Sequence, residues 1–414
     1  MRTMFFVLNP VELLQGFSAA LELSLGGVQK HQWRVALIAA YMADELALDA
    51  EEKQDLIYTA LIHDIGTNVS WKEHLLSLHQ QGNDRMYQHA EHGYQLLKES
   101  RLFKRLAPYI RHHHDAWNGM GSNPVRLTGE AIPLISRIIC LADAIEISVR
   151  DNEFIFTQYK QVVEYIQAHS GTIFDPQLVN IFERVSRKEA FWLDIANPFS
   201  FQNFFDSISI YGKSQYSIED IMEIADIWAT IVDRNDPFTG KHSHRVADVS
   251  EYVARAKGFS EDEVILLRIS GLLHDLGKLA VSNEILTKPD KLTKSEFFII
   301  KQHPYYTYQI LQAIEGLQII AKWAAYHHET LDGEGYPFHL GARELSLGSR
   351  IVAVADIFTA LTERRPYHAD FSWGEVRHIM TGMAERGKID KSLVELLFVN
   401  EQELNTLVKK TSGQ

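Results

Sequence analysis

The sequence predicts an all-α protein built as two tandem helical domains from an internal duplication. Three observations carry that prediction. Helix starts of the capping-box kind stand in front of apolar residues at helical spacing. No polar–apolar alternation between turn signals recurs at the 8–12-residue spacing of a sandwich or barrel. Finally, a series of histidine- and aspartate-bearing motifs occurs twice, in the same order and at a nearly constant separation.

Ser260 and Glu263 form a capping box ahead of the apolar face Val264, Leu267, Leu272 and Leu273. Thr293 and Glu296 form another ahead of Phe297, Phe298, Ile299 and Ile300, while Val246, Val249 and Val253 and the run 218–232 keep helical spacing. The duplication reads position by position. Lys30, His31, Arg34 and Val35 match Lys241, His242, Arg245 and Val246, and His63, Asp64 and Gly66 match His274, Asp275 and Gly277. His89 matches His303, His113 and His114 match His327 and His328, and Asp143 matches Asp356. The separations at His31, His63, His89, His113 and Asp143 are 211, 211, 214, 214 and 213 residues. Chance does not keep five motifs in order at so steady an offset, so the unit is a duplicated domain of about 190 residues. The match of 171–179 with 387–394 extends it and sets domains at 12–188 and 218–400, with a connector at 189–217. The phenylalanine-rich stretch 191–211, broken at Asn197 and Pro198, reads as a packed connector whose aromatic residues form an interdomain core.

A length of 414 residues suits two or three domains, and 46% apolar residues suffice to bury their cores. The net charge of −13 and the lack of a Lys/Arg cluster argue against a nucleic-acid polymer as partner, which needs a basic footprint. They leave room for a small anion held at a metal. No apolar stretch reaches the roughly 18 residues of a membrane helix, and the opening residues are broken by Asn9 and Pro10 too early for a signal peptide. Cys140, the one cysteine, reads as a small core residue; no disulfide can form within one chain, which fits a reducing cytoplasm.

The apolar run through Leu272 and Leu273 ends in His274 and Asp275, where a residue cheap to bury would be expected. A buried charge is costly unless paired or metal-bound. For an isolated pair, a core histidine beside a capping aspartate would be the simpler account. The pair is not isolated: His242, His303, His327, His328 and Asp356 share its half of the chain. Imidazole and carboxylate are ligands for iron, manganese, nickel and zinc. Five histidines and two aspartates exceed one tetrahedral site and suit two metals that share a carboxylate.

These motifs make the C-terminal half resemble an HD-GYP domain, a branch of the HD phosphohydrolase superfamily. The resemblance rests on Asp236, Thr239, Gly240, His242 and Arg245, on His274, Asp275, Gly277 and Lys278, and on His303 with Pro304. It continues through His327, His328 and Glu329, the loop 332–337 with Gly335, Tyr336 and Pro337, then Asp356, Arg365, Pro366 and Tyr367. It covers about 170 residues. The N-terminal copy resembles a degraded form, with Thr67 in place of Lys278 and Gly121, Ser122 and Asn123 in place of Gly335, Tyr336 and Pro337.

The resemblance implies a phosphodiesterase acting on a bacterial 3′,3′-cyclic dinucleotide, cyclic di-GMP and/or 3′,3′-cyclic GMP-AMP, and opening it to the linear form through a hydroxide held between metals. It implies His242, His274, Asp275, His303, His327, His328 and Asp356 as ligands of two divalent ions, with Asp275 bridging. Iron or manganese is expected first, then nickel, cobalt or zinc. Members with a third metal carry a Glu four residues before the first ligand His; Phe238 stands there, with Asp233 and Asp236 nearby. Lys278 would meet a non-bridging phosphate oxygen as a point charge, or else be a solvated lysine at a helix end. Tyr336 would stack on a guanine or pack the loop, and Arg365 would fork onto a guanine edge or phosphate or pair with a carboxylate. His31, His63, Asp64, His89, His113, His114 and Asp143 would form a second metal site of poor or no activity. That domain would stabilise the other copy, hold a regulatory ligand or offer a surface to a homodimer or signalling-protein partner. Competing functions are a sensor of the dinucleotide with little turnover and a broader HD-type nucleotide phosphohydrolase.

Overall fold

The computed structural model describes residues 5–24, 30–67, 84–121, 123–197, 199–201, 203–204, 213–234, 241–363, 371–404 and 406. The chain divides into two compact units, one made of Asn9–Lys213 and the other of the chain from Ser214 onward together with the segment ending at Leu8.

The first unit contains α1 (Pro10–Ser24), α2 (His31–Leu46), α3 (Ala50–Ile62), α4 (Asp84–Leu97), α5 (Ala107–Arg111), α6 (Leu134–Ile147), α7 (Ile155–Ala168), α8 (Pro176–Val185) and α9 (Glu189–Ala196). Helix α2 lies at its centre, packed on α3 and α6. Its buried face is Val35, Ile38, Ala39 and Met42, at the spacing of successive turns. Phe191 and Trp192 on α9 and Phe201 beyond it are buried. Phe191 meets Tyr41 edge-on at 5.3 Å and Phe201 meets Trp33 at 6.3 Å, so these aromatics, read from sequence as an interdomain core, are core of the N-terminal unit itself. Cys140 is only half-buried.

The second unit contains β1 (Phe5–Leu8), β2 (Ser214–Ser217), α10 (Ile218–Arg234), α11 (His242–Lys257), α12 (Glu261–Leu273), α13 (Lys294–Ile300), α14 (His303–Gln312), α15 (Gln318–Ala325), α16 (Leu347–Thr362), α17 (Trp373–Glu385) and α18 (Lys391–Leu397). Helix α11 packs on α12 and α16, repeating the arrangement of α2 with α3 and α6. Both capping boxes read from sequence are formed, Ser260 with Glu263 and Thr293 with Glu296. Asp49 with Glu52 forms the equivalent box on α3, so the duplication reaches the helix cap. Among the described residues no helix is long and apolar enough to cross a membrane.

One feature departs from the all-α expectation. β1 pairs antiparallel with β2, with Phe5 opposite Ser217 and Leu8 opposite Ser214. Each strand has four residues, and their partners lie some two hundred positions apart, so no hairpin signal exists to be read. Phe6 and Leu8 face inward while Phe5 and Val7 are exposed, which fastens the first residues of the chain to the C-terminal unit. Truncating a fully buried leucine costs about 2–5 kcal/mol. Leu8→Ala should therefore lower the thermal unfolding midpoint of the full chain in calorimetry; an unchanged midpoint would show that the strand does not help hold the unit.

Candidate metal centre

Five histidines of the repeated motifs stand where a helix stops. His63 follows α3 and His274 follows α12; His113 lies just past α5 and His327 just past α15; His303 comes three residues after α13. In each, Nδ1 faces the backbone carbonyl three residues back: Ala60 at 2.8 Å, Gly271 at 2.8 Å, Ile110 at 2.5 Å, Ala324 at 2.7 Å and Ile300 at 2.7 Å. The last carbonyls of a helix have no intrahelical donor, and a histidine ring N–H readily takes one. A carbonyl only accepts, so Nδ1 carries the proton and Nε2 projects as a bare lone pair.

In the C-terminal unit those lone pairs converge on Asp275. Its Oδ2 lies 3.1 Å from His274 Nε2 and 3.7 Å from His242 Nε2. Its Oδ1 lies 3.3 Å from His303 Nε2 and 3.9 Å from His327 Nε2. Asp356 Oδ1 stands 3.2 Å from His242 Nε2 and 3.7 Å from His274 Nε2. Two groups result, His242, His274 and Asp356 on one side and His303, His327 and His328 on the other, with one carboxylate oxygen of Asp275 toward each. All are buried except His328, which is half-buried.

The donors fit a divalent cation on two counts. His274 Nε2 is buried and makes no hydrogen bond. His303 Nε2 and His327 Nε2 face each other at 3.2 Å, although both rings carry their protons on Nδ1. Two opposed lone pairs at that distance repel unless a cation lies between them.

The electrostatics agree. Burial works against the Asp275 carboxylate, yet His274 and Lys278 beside it hold it well below the ordinary carboxylate range. Burial likewise opposes charge on Asp356, and the hydrogen bond from His242 outweighs it and holds Asp356 down. On His242, burial disfavours the proton, but the bonds to Asp356 and Glu363 push its pKa up to about 10. Burial lowers His303 to about 3 and His328 to about 4, so the three-histidine side stays neutral, as ligation requires.

The N-terminal unit repeats this geometry. Asp64 Oδ2 lies 3.4 Å from both His31 Nε2 and His63 Nε2, and its Oδ1 3.3 Å from His89 Nε2. Asp143 Oδ1 is 3.4 Å from His31 Nε2. His89 Nε2 faces His114 Nε2 at 3.0 Å and His113 Nε2 at 3.3 Å, and His63 Nε2 is buried without a hydrogen bond. All fourteen histidines and aspartates singled out as ligands from sequence thus gather into two clusters.

The surrounding groups differ between copies. Lys278 Nζ sits 2.6 Å from Asp275 Oδ2, whereas Thr67 at the matching place is buried and neutral. Tyr336 packs on His328, ring centroids 4.8 Å apart and planes at 31°, and Lys301 Nζ lies 4.8 Å from the Tyr336 centroid. Lys301 had no motif to mark it. Arg365, Phe238 and Asp236 lie outside the described residues. Asp233 is committed elsewhere: it accepts from Ser243 N at 3.2 Å and Ser243 Oγ at 2.7 Å and faces His244 Nδ1 at 3.2 Å.

Three glutamates support the clusters; Glu329 was read from sequence only as part of the motif His327, His328, Glu329, and Glu363 and Glu146 escaped the sequence reading. Glu363 Oε2 lies 3.0 Å from His242 Nδ1, and Glu146 Oε2 lies 2.5 Å from His31 Nδ1. Glu329 is buried and accepts from Phe338 N at 2.7 Å and Leu340 N at 2.9 Å, which ties the 332–337 loop down beside His328. Gly277 brings the turn after Asp275 against α14: a Cβ there would stand 2.0 Å from the His303 carbonyl oxygen, and Gly66 faces the His89 carbonyl in the same way. The shared glycine after each His–Asp pair was a usable signal for that close approach; Glu363 and Glu146 had none.

Comparison with known proteins places two HD-domain family models on the chain, at residues 226–393 and 28–148. The chain is 31% identical over 381 residues to the 3′3′-cGAMP-specific phosphodiesterase 1 of Vibrio cholerae, spanning 90% of this chain and 87% of that one. It is 40% identical over 149 residues to a cyclic di-GMP phosphodiesterase of Thermotoga maritima, 36% of this chain and 40% of that protein. Among solved structures, the cyclic GMP-AMP-specific phosphodiesterase V-cGAP3 of V. cholerae matches with a TM-score of 0.66 at 28% identity, covering 97% of this chain and 98% of its own.

The glycine contact supplies a direct test. Backbone atoms cannot yield to a Cβ at 2.0 Å, so Gly277→Ala must push α14 and His303 away from Asp275. Overpacking of this kind costs about 1–3 kcal/mol. The variant should melt lower and take up less metal in the C-terminal unit; a variant with normal metal content would contradict the described packing.

Proposed function

Because this chain belongs to the HD-domain family, in its HD-GYP branch, we propose that its C-terminal unit opens 3′,3′-cyclic GMP-AMP and/or cyclic di-GMP to the linear dinucleotide. It is a cyclic dinucleotide phosphodiesterase. Cyclic GMP-AMP is the favoured substrate, because the relatives matching almost the whole chain carry that specificity in their names, whereas the cyclic di-GMP relative matches 36% of it. The observation that carries the reading is the place of Asp275, with one oxygen toward each histidine group and Lys278 beside it.

His242, His274 and Asp356 would hold one divalent ion, His303, His327 and His328 the other, with Asp275 shared. Such ions supply a nucleophile from water at neutral pH and neutralise charge on a phosphate. The chain's own residues do the rest. In this unit the Nδ1–H groups of His274, His303 and His327, anchored on carbonyls at helix ends, fix those three imidazoles, so they need no reorganisation when charge develops. Lys278, a quarter exposed at its side chain, can exchange its contact with Asp275 for a phosphate oxygen. Tyr336, packed on His328, and Lys301, over the Tyr336 ring, offer a ring and a second positive charge to the anionic dinucleotide. Arg365 is proposed as a further contact to a base edge or phosphate.

A specific observation separates the two copies. The N-terminal cluster retains the donor set but has Thr67 where a cation would meet the phosphate. It is therefore proposed to bind metal and turn over poorly, since a charge used in the transition state raises rate more than it aids ligation.

Variants assayed side by side test this. Lys278→Met should lower kcat roughly 10²–10³-fold while metal content stays unchanged, the scale of one preorganised donor. Asp275→Ala should abolish turnover of both cyclic dinucleotides, while Asp64→Ala loses bound metal and keeps most turnover. Loss of activity in Asp64→Ala alone would reverse the roles of the two units.

A further inference from the structure

The first histidine of each cluster is held differently from the five at helix ends. His31 and His242 begin their helices, as His303 does, but His303 Nδ1 takes the Ile300 carbonyl at the end of α13, whereas theirs are each met by a carboxylate from another helix or its end. In the N-terminal unit it is Glu146, whose Oε2 meets His31 Nδ1 at 2.5 Å and whose Oε1 accepts from Arg34 Nη1 at 3.3 Å. In the C-terminal unit it is Glu363, whose Oε2 meets His242 Nδ1 at 3.0 Å and whose Oε1 accepts from Arg245 Nη1 at 3.0 Å.

The histidines and arginines of these two triads are repeat partners; the glutamates are not. Glu146 follows Asp143 by three residues, and Glu363 follows Asp356 by seven. Glu146 lies within α6, while Glu363 is the extended cap residue just past α16; an offset of three on the helix and the helix end at seven thus each bring a carboxylate to the same imidazole. At the exchanged positions the carboxylate is absent. Thr359, three residues after Asp356, is buried and its hydroxyl makes no hydrogen bond. Arg150, seven after Asp143, has donors only.

We propose that Glu363 is a positioning residue for His242, setting its tautomer and aim through a carboxylate shared with Arg245, and that position 359 is an equivalent seat for that carboxylate. The requirement is for two acceptor oxygens, one per donor. A glutamine offers one acceptor and one NH2 group, so it can satisfy His242 or Arg245 but not both.

This inference rests on the C-terminal cluster binding a divalent metal, and the two fail separately: uptake of Mn²⁺ by the parent tests the metal reading, and differences between variants test this one. The titration uses full-length protein carrying Asp64→Ala, so that the C-terminal centre is read. Glu363→Gln should weaken Mn²⁺ binding roughly 10–100-fold, the usual cost of removing a partner behind a ligating histidine. Adding Thr359→Glu to Glu363→Gln should recover most of that loss. A residue that served folding alone would lower the melting point of the metal-free protein, and a carboxylate one turn earlier would not restore the affinity. Unchanged Mn²⁺ affinity in Glu363→Gln overturns the proposal whatever the double variant does. A folded double variant without recovery overturns the equivalence of the two seats.

Discussion

A buried aspartate held between opposed imidazole lone pairs is the interaction on which the rest of each unit depends. Taking a carboxylate out of water costs several kcal/mol even after relaxation, and facing lone pairs add repulsion. Asp275 meets four Nε2 atoms within 3.9 Å, and Asp64 meets three within 3.4 Å. Such an assembly is stable in an apolar interior only if positive charge is supplied. In the metal-free state His274 and Lys278 supply it to Asp275, while Asp356 and Glu363 push His242 up and burial pushes the three imidazoles on the other side down. A divalent ion on each side answers the same need without a proton.

The helical scaffold accounts for how these groups are aimed. A helix end leaves carbonyls without donors, and this chain places a histidine at such ends so that Nδ1 takes the carbonyl and Nε2 faces inward. Close approach then decides whether the imidazoles meet. Glycine after each His–Asp pair lets the turn lie against the backbone of the next ligand helix, and Thr307 fastens that contact by donating to the His274 carbonyl at 3.1 Å and accepting from Gly277 N at 2.9 Å. The chemistry is therefore a consequence of where helices stop, with loop residues such as Glu329 and Tyr336 shaping access to it.

Much of this was legible in the sequence because duplication supplies an internal comparison. Each His–Asp pair, each later histidine and each late aspartate recurred at a steady offset, and every one of them lies in a cluster. Capping boxes were legible for a local reason, since both partners sit three residues apart. What could not be read was non-local. The β1–β2 ribbon joins residues some two hundred positions apart, and its strands are too short for a pattern. The connector aromatics looked like an interdomain filling because aromatic content reports burial and not the partner. Glu146 and Glu363 escaped because they break the repeat that revealed everything else, doing one job from within α6 and from the end of α16. Lys301 comes to Tyr336 only through tertiary packing.

The central claim is that each carboxylate oxygen of Asp275 faces its own cation. Anomalous diffraction from crystals of full-length protein purified without oxygen, or grown with manganese, tests it most directly. The account expects two peaks in the C-terminal unit, one on each side of Asp275, the first among His242, His274 and Asp356 and the second among His303, His327 and His328. A single ion lying off Asp275, or none within either group under saturating metal, would contradict it.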